Sequence, residues 1–185
     1  MDLRVTADRD GAVVDWGAGP RRAAIGLPGI ALKRGEGDGI TPIGAFPVRE
    51  IFYRADRIPR PNTKLPLRAI EKDDGWCDAP DDPNYNKLVK LPYSASAEQL
   101  WREDHLYDLV VVLGYNDDPV VPGKGSAIFL HLARSVGEVG SDSVPTSDNK
   151  KSPDYSHTQG CVALAYDDAV AAIRQLQPGD QVVIE

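Results

Sequence analysis

The chain has 185 residues, a formal net charge of −7 and a pI of about 5.0, with 42% hydrophobic and 26% charged residues. These proportions are typical of a globular protein and exclude a fibrous or largely disordered chain, and one domain over residues 1–185 is expected. The acidic balance disfavours nucleic acid and anionic lipid as partners, and no apolar segment approaches the ~20 residues of a membrane span.

The chain is predicted to be mainly β. Its 17 glycines and 15 prolines separate short segments that are rich in Val, Ile, Leu, Phe or Tyr, which is typical of strands bounded by turns. In chain order, the predicted strands are Leu3–Ala7, Ala12–Trp16, Arg22–Leu27, Ala45–Tyr53, Asp108–Leu113, Ala127–Leu132, Cys161–Ala165 and Gln181–Ile184.

Two segments are predicted to form short helices. Ser96 and Gln99 have the spacing of a capping box, which favours a helix beginning at Ser96. A second helix is expected to begin at Asp167, where an acidic side chain suits the positive helix end, and to stop before Pro178.

A cysteine and a histidine lie at the ends of predicted strands. His131 ends the apolar run that starts at Gly125, and Cys161 begins another after Gly160. A thiol with an ordinary pKa of ~8.5 is mostly protonated near neutrality, so an adjacent imidazole could take its proton and later protonate a leaving amine. The amides of Gly160 and Cys161 could donate to an oxyanion. From the pair alone, a buried filler cysteine and a surface histidine remain the alternative.

The two runs resemble a known family. Gly125–His131, followed by Thr158–Leu164, is similar to the signature of the L,D-transpeptidase catalytic domain, often called YkuD-like. Further similar segments extend the resemblance over about residues 33–185; they are Gly37–Phe46, Tyr53–Arg57, Asp74–Asp78, Tyr85–Asn86 and Gly114–Asn116.

This resemblance implies a fold and a reaction. The fold would be a mainly β, sandwich-like or barrel-like catalytic domain with two or three short helices. Cys161 would attack the amide between meso-diaminopimelate and D-Ala in a peptidoglycan tetrapeptide stem, and the thioester would then pass to water or to an amine. The carbonyl of Leu132 or Ala133 would orient His131. Neither a metal nor another cofactor is expected, since no ligand set with zinc-site spacing occurs.

The sequence departs from the family pattern in two places. Gln159 stands where many members have a second histidine, two residues before the cysteine. The interval between His131 and Cys161 is also longer than usual, by roughly Gly137–Tyr155. Composition indicates a solvated segment, and both a flap beside the pocket and a loop without function remain open.

Several residues are candidates for binding the substrate. Arg134 or Arg54 could bind the diaminopimelate carboxylate through two parallel hydrogen bonds, although either could instead form a structural salt bridge. The further candidates for the pocket wall are Gln159, His157, Tyr115 and Trp76, and the two aromatic residues could equally belong to the core.

Three functions compete at this point. The first is an L,D-carboxypeptidase that trims tetrapeptides in cell-wall recycling, in the cytoplasm because no signal peptide is visible. The second is a periplasmic L,D-transpeptidase that forms cross-links, which would require that a leader had been removed. The third is a non-catalytic peptidoglycan-binding module. Stem peptides or muropeptide fragments are the expected partners in each case.

Overall fold

A computed structural model describes residues 1–9, 11–134 and 155–185. Fourteen strands and one α-helix lie within these ranges. The strands are β1 (Leu3–Asp8), β2 (Gly11–Asp15), β3 (Arg21–Ala24), β4 (Ile30–Ala31), β5 (Thr41–Pro42), β6 (Gly44–Tyr53), β7 (Leu67–Ala69), β8 (Asp74–Cys77), β9 (Leu88–Lys90), β10 (Ala97–Gln99), β11 (Leu109–Leu113), β12 (Phe129–Leu132), β13 (Val162–Leu164) and β14 (Gln181–Ile184), and the helix is α1 (Tyr166–Gln175).

The main sheet closes on itself. Its strand order is β11-β12-β13-β3-β2-β1-β14-β6-β7, and an additional pairing joins β11 to β6. Strand β6 is long enough to pair with β14 through Gly44–Pro47 and with β11 through Val48–Tyr53. The mainly β, barrel-like or sandwich-like fold is therefore confirmed.

All eight predicted strands are confirmed, with ends shifted by a few residues. The strand predicted over Arg22–Leu27 ends at Ala24, and the chain then makes an isolated bridge between Gly26 and Thr158. The strands that the sequence did not predict have only two to four residues each, too short for a clear alternation of apolar and polar side chains; they are β4, β5, β7, β8, β9 and β10.

One of the two predicted helices is wrong. Ala97–Gln99 forms β10, which pairs antiparallel with β8 in a separate three-stranded sheet. A capping-box spacing contributes little free energy, so pairing with β8 overrides the local preference. The second predicted helix is confirmed as α1, which buries Ala169, Ala172 and Ile173 against the main core. Among the described residues α1 is the only helix, fewer than the two or three expected.

The two faces of the closed sheet pack into different hydrophobic clusters. Leu130 and Val162 belong to the large cluster against which α1 packs, whereas Phe129 and Cys161 belong to a second, smaller cluster. Trp76 from β8 packs in this second cluster, so the three-stranded sheet covers the face that carries Cys161.

Within residues 1–9, 11–134 and 155–185, no helix has both the length and the apolar character needed to cross a bilayer.

Candidate active site

Strands β12 and β13 bring His131 and Cys161 together. The strands are parallel, with Leu130 beside Val162 and His131 beside Ala163, so Cys161 lies next to Phe129. Side chains alternate along a strand, and therefore His131 shares the face of Phe129 while Cys161 shares the face of Ala163. Both residues line one cleft of about 610 Å³. The juxtaposition is thus produced by parallel pairing of two strands that are about thirty residues apart in sequence.

A backbone carbonyl orients the imidazole. His131 is 6% exposed, and its Nδ1 lies 2.8 Å from the carbonyl oxygen of Leu132. A carbonyl oxygen can only accept, so Nδ1 carries the proton and Nε2 keeps its lone pair. Of the two carbonyls that the resemblance implies as the orienting group, that of Leu132 makes this contact.

The thiol of Cys161 is held by two backbone groups. The Phe129 N–H donates to its Sγ at 3.3 Å, and the thiol donates to the carbonyl oxygen of Ala127 at 3.2 Å. Burial raises the pKa of Cys161 to about 12 and lowers the pKa of His131 to about 4. At neutral pH the resting pair is consequently an uncharged thiol and an uncharged imidazole.

Gly160 and Thr158 shape the turn before the nucleophile. Gly160 has a φ of 121°, and a Cβ there would lie 2.9 Å from the carbonyl oxygen of Ile40, so only glycine fits. Its N–H donates to Thr158 Oγ1 at 3.2 Å, and the same hydroxyl donates to the Cys161 carbonyl at 2.6 Å. The amide predicted to stabilise an oxyanion is thus occupied by Thr158 in the free protein.

Three of the predicted substrate-binding residues line the cleft. They are Arg134, His157 and Gln159, and all three come from the segments that flank the catalytic strands. The Arg134 side chain is 54% exposed, and among the described residues its ion-pair partner is Asp104, at 3.1 Å. Its remaining N–H groups could still meet a carboxylate, as the sequence predicts.

Arg54 does not line the cleft. Its side chain is 2% exposed and binds both carboxylate oxygens of Asp56 at 2.9 Å. It also donates to the carbonyl of Arg102 at 2.6 Å and lies 3.6 Å from the centroid of the Trp101 ring. The predicted role in binding the substrate carboxylate is therefore replaced by the alternative, a structural ion pair in which the guanidinium is buried and the Asp56 carboxylate is about half exposed.

Tyr115 and Trp76 are core residues rather than parts of the cleft wall. The Tyr115 hydroxyl donates to the carbonyl of Lys124 at 2.6 Å. The Trp76 indole N–H donates to Asn86 Oδ1 at 2.9 Å, and its ring meets Phe129 edge-on with centroids 5.1 Å apart. Trp76 thus supports Phe129, whose N–H contacts the nucleophile, from behind the site.

The sequence did not point to four further residues of the cleft. Tyr107 meets the His131 ring edge-on at 5.3 Å, and its hydroxyl donates to Glu98 at 2.7 Å. Arg102 and Asp78 also line the cleft. Glu98 lies in β10, and Asp78 directly follows its partner strand β8. Only the tertiary pairing of β10 with β8 brings them to the cleft.

A cluster of acidic residues outside the cleft is already occupied by a lysine. Within the described ranges, Glu71, Asp73 and Asp74 are the one group of His, Cys, Asp or Glu side chains close enough to hold a metal ion. The Lys90 ammonium bonds to Glu71 and lies 2.8 Å from Asp73 and 3.0 Å from Asp74. Lys90 therefore supplies the positive charge there. The two cysteines, Cys77 and Cys161, are free thiols.

The predicted Gly137–Tyr155 segment lies outside the described residues except for Tyr155, which packs beside Ala133 and Ala163.

The low pKa of His131 predicts the acid limit of the activity. His131 accepts a proton only when neutral, so kcat/KM for any acyl transfer that uses it as the base should fall as pH decreases through about 4 rather than through its ordinary value near 6.5. Initial rates across pH 3.5–8, with circular dichroism at each pH to confirm folding, measure this. A limb near 6.5 in fully folded protein would contradict the assignment of a neutral, buried base.

The comparisons with known proteins agree with this geometry. A family model described as the L,D-transpeptidase catalytic domain (YkuD) matches residues 3–184. The match begins about thirty residues earlier than the resemblance in the sequence, because β1, β2 and β3 are part of the closed sheet that carries β13. No curated protein and no solved structure matches the chain. With the cysteine and histidine in one cleft and the family model covering nearly the whole chain, the protein belongs to the L,D-transpeptidase catalytic-domain family of cysteine acyl-transfer enzymes that act on peptidoglycan.

Proposed function

We propose that the protein is an L,D-carboxypeptidase that removes D-Ala from tetrapeptide stems released in cell-wall recycling. The proposal depends on one observation: the Leu132 carbonyl holds His131 Nδ1, which leaves Nε2 as a base in the cleft that contains the Cys161 thiol. Water is proposed as the acceptor because the cleft, at about 610 Å³, includes charged and polar side chains, among them Arg102, Arg134 and Glu98. Such a lining remains hydrated beside a bound peptide.

The first half of the reaction would acylate Cys161. The thiol breaks its hydrogen bond to the Ala127 carbonyl and transfers its proton to His131 Nε2. At the same time, Sγ forms a bond to the carbonyl carbon between diaminopimelate and D-Ala. The carbonyl electron pair moves to oxygen, which needs hydrogen-bond donors nearby. When the intermediate collapses, the C–N bond breaks and the leaving amine takes the proton from Nε2. D-Ala departs, and a thioester remains on Cys161.

The second half would release the tripeptide. His131 Nε2 accepts a proton from water as the water oxygen attacks the thioester carbon. Collapse of this intermediate breaks the C–S bond, and the sulfur recovers a proton from the imidazole. Because both side chains are neutral before and after the cycle, no net proton is stored in the site.

Cross-linking transpeptidation is the second candidate. It is favoured by the family itself, which is described by that activity. The chemistry of acylation would be the same, and the amine of a second stem would replace water in the second half.

Product analysis separates these functions. Purified protein is incubated with a diaminopimelate-containing tetrapeptide, alone and with an excess of a second stem peptide, and the products are identified by mass spectrometry. We expect tripeptide and free D-Ala in both reactions. A coupled product as the main species would instead identify a transpeptidase. Cys161→Ala is expected to abolish D-Ala release, and retention of full activity by this variant would contradict the mechanism.

A further inference from the structure

The Cys161 thiol is bound by two backbone groups of the segment that enters β12. The Phe129 N–H donates to Sγ at 3.3 Å, and the thiol donates to the carbonyl oxygen of Ala127 at 3.2 Å. The two contacts have opposite effects on the thiol, because an N–H donor favours the charged thiolate whereas a carbonyl can accept only from the neutral thiol. The group that fixes the Ala127 carbonyl therefore influences the form in which the nucleophile rests.

Ala127 has a backbone conformation that alanine disfavours. Its φ is 53°, in the left-handed region where the Cβ crowds the backbone. Such a conformation persists only where the surrounding contacts hold it. A return to an ordinary negative φ would rotate the adjoining peptide groups, and the Ala127 carbonyl would turn away from Sγ.

The side chain that holds the Ala127 backbone is Asn86. Its Oδ1 accepts from the Ala127 N–H at 3.0 Å and from the Trp76 indole N–H at 2.9 Å. Its Nδ2 donates to the carbonyls of Tyr115 and Asn116 at 2.9 and 2.8 Å. Asn86 is 6% exposed, and these four bonds use both donors and both lone pairs of the amide. The amide therefore cannot flip or rotate without leaving buried polar groups unpaired.

Asn86 is itself fixed next to β8. Its N–H donates to the Cys77 carbonyl at 2.8 Å, and its φ of 58° is one that asparagine tolerates. The preceding residue, Tyr85, accepts from the N–H of Gly125 at 2.9 Å through its hydroxyl. Two consecutive residues thus bind alternate residues of the segment that enters β12, and they set its position relative to Cys161.

We propose that Asn86 is a positioning residue for the nucleophile: by holding the Ala127 backbone, it keeps the Cys161 thiol protonated and its Sγ in place until His131 takes the proton. This role rests on the proposed acylation of Cys161 and assigns part of it to a residue that does not line the cleft. Electrophiles and oxidants attack the thiolate, so a protonated thiol is protected while the cleft is empty. When the proton moves to Nε2, the Phe129 N–H remains to stabilise the sulfur.

The charged groups around the thiol stay the same when Asn86 is replaced by alanine. Burial has the largest effect on the pKa of Cys161 and raises it, and the Phe129 N–H lowers it. Titratable side chains of the cleft that act on the thiol or lie beside it are Lys33, Glu98, Tyr107 and His131. Since Asn86→Ala adds and removes no charge, a change in thiol reactivity would report the carbonyl contact.

Alkylation of the resting protein tests this role without a substrate. Iodoacetamide reacts with the thiolate, which displaces iodide, so well below the thiol pKa the rate is proportional to the thiolate fraction. Mass spectrometry of the Cys161 peptide gives this rate at about pH 7–9. We expect Asn86→Ala to raise it about threefold to tenfold, because the neutral thiol loses one hydrogen bond. The same variant should lower kcat for D-Ala release about tenfold with little change in KM, because Sγ is no longer held in place.

A second substitution separates positioning from stability. Asn86→Asp keeps an oxygen for the Ala127 N–H but loses the amide donors to Tyr115 and Asn116, so it should lose stability as Asn86→Ala does. We expect its Cys161 to react no faster than in the wild type, because the Ala127 carbonyl stays in place and a carboxylate would disfavour the thiolate.

A matched asparagine controls for loosening of the same segment. The Asn116 side chain donates to the carbonyls of Val121 and Gly125 and accepts from the Val121 N–H, and its φ is 49°. Asn116→Ala therefore removes side-chain hydrogen bonds from a left-handed asparagine without touching the Ala127 N–H. We expect the wild-type rate of Cys161 alkylation in this variant.

Cys77 reports opening of the fold in the same experiment. It is 0% exposed, and its carbonyl accepts from the Asn86 N–H. Its alkylation should stay slow in each variant. Equal acceleration of both cysteines would assign the effect to unfolding and overturn the positioning role.

The remaining outcomes separate this role from the proposed function. An unchanged Cys161 rate in folded Asn86→Ala would overturn the role, and so would equal acceleration in Asn86→Ala and Asn86→Asp. Failure of the wild-type protein to release D-Ala would overturn the proposed function alone, because alkylation needs no substrate.

Discussion

Replacing His131 by Asn is expected to lower kcat for D-Ala release by about 10²–10⁴-fold in a protein that remains folded. The Asn amide can still donate to the Leu132 carbonyl, which now accepts from Nδ1 at 2.8 Å. It has no basic nitrogen in place of Nε2, so the thiol, whose pKa burial raises to about 12, would have no proton acceptor. Steady-state kinetics of D-Ala release measure the loss.

His105 provides the matched control. It lies outside the cleft, and its Nδ1 is 2.6 Å from an oxygen of Asp108. Its φ of 62° is one that Asn tolerates. We expect His105→Asn to keep nearly full activity. The role of His131 as the base would be refuted by comparable activity in the two variants.

The second large effect concerns stability: Gly26→Ala should reduce the free energy of unfolding by more than about 2 kcal/mol. A Cβ at Gly26 would lie 1.8 Å from the carbonyl oxygen of Gly39 and 3.3 Å from the nitrogen of Gly160. Both neighbours are backbone atoms, which cannot move aside as the end of a flexible side chain can. The chain at Gly26 also forms a bridge with Thr158, so a shift there should disturb the turn before Cys161 and lower activity as well.

Gly35→Ala is the control for this substitution. A Cβ at Gly35 would lie 3.5 Å from its nearest neighbour, the carbonyl oxygen of Gly123, which is an ordinary van der Waals contact. Urea unfolding of the two variants and the wild type compares the free energies directly. We expect the midpoint of Gly35→Ala to stay close to that of the wild type, and a similar midpoint for Gly26→Ala would show that the close approach is not maintained in solution.

Local patterns predicted the longer strands correctly because such strands show either a continuous apolar run or an alternation of apolar and polar residues in the sequence. Strand β11 is a continuous apolar run buried along its whole length, and β14 alternates between buried and partly exposed residues. The short strand β10 has no such pattern. Its three residues adopt an extended backbone only because the edge of β8 offers hydrogen bonds, and the capping-box spacing at Ser96 therefore predicted the wrong structure.

Cys161 and His131 were likewise predictable from the sequence, whereas much of the rest of the cleft was not. Cys161 and His131 could be identified from the sequence because each stands at the end of an apolar run that resembles a family motif. Arg54 belongs to a similar segment, yet its guanidinium is committed to Asp56 and a backbone carbonyl, which no local pattern indicates.

The sequence by itself determined the mainly β fold and the family, and it predicts Cys161 as nucleophile and His131 as base, because these inferences depend on residue types and on short-range spacing. Tertiary structure alone decided which carbonyl orients His131, which arginine faces the cleft, and that Asp78, Glu98 and Tyr107 lie there. The reason is physical: charge pairing and burial depend on distances between segments that are remote along the chain, and those distances exist only after the sheet has closed.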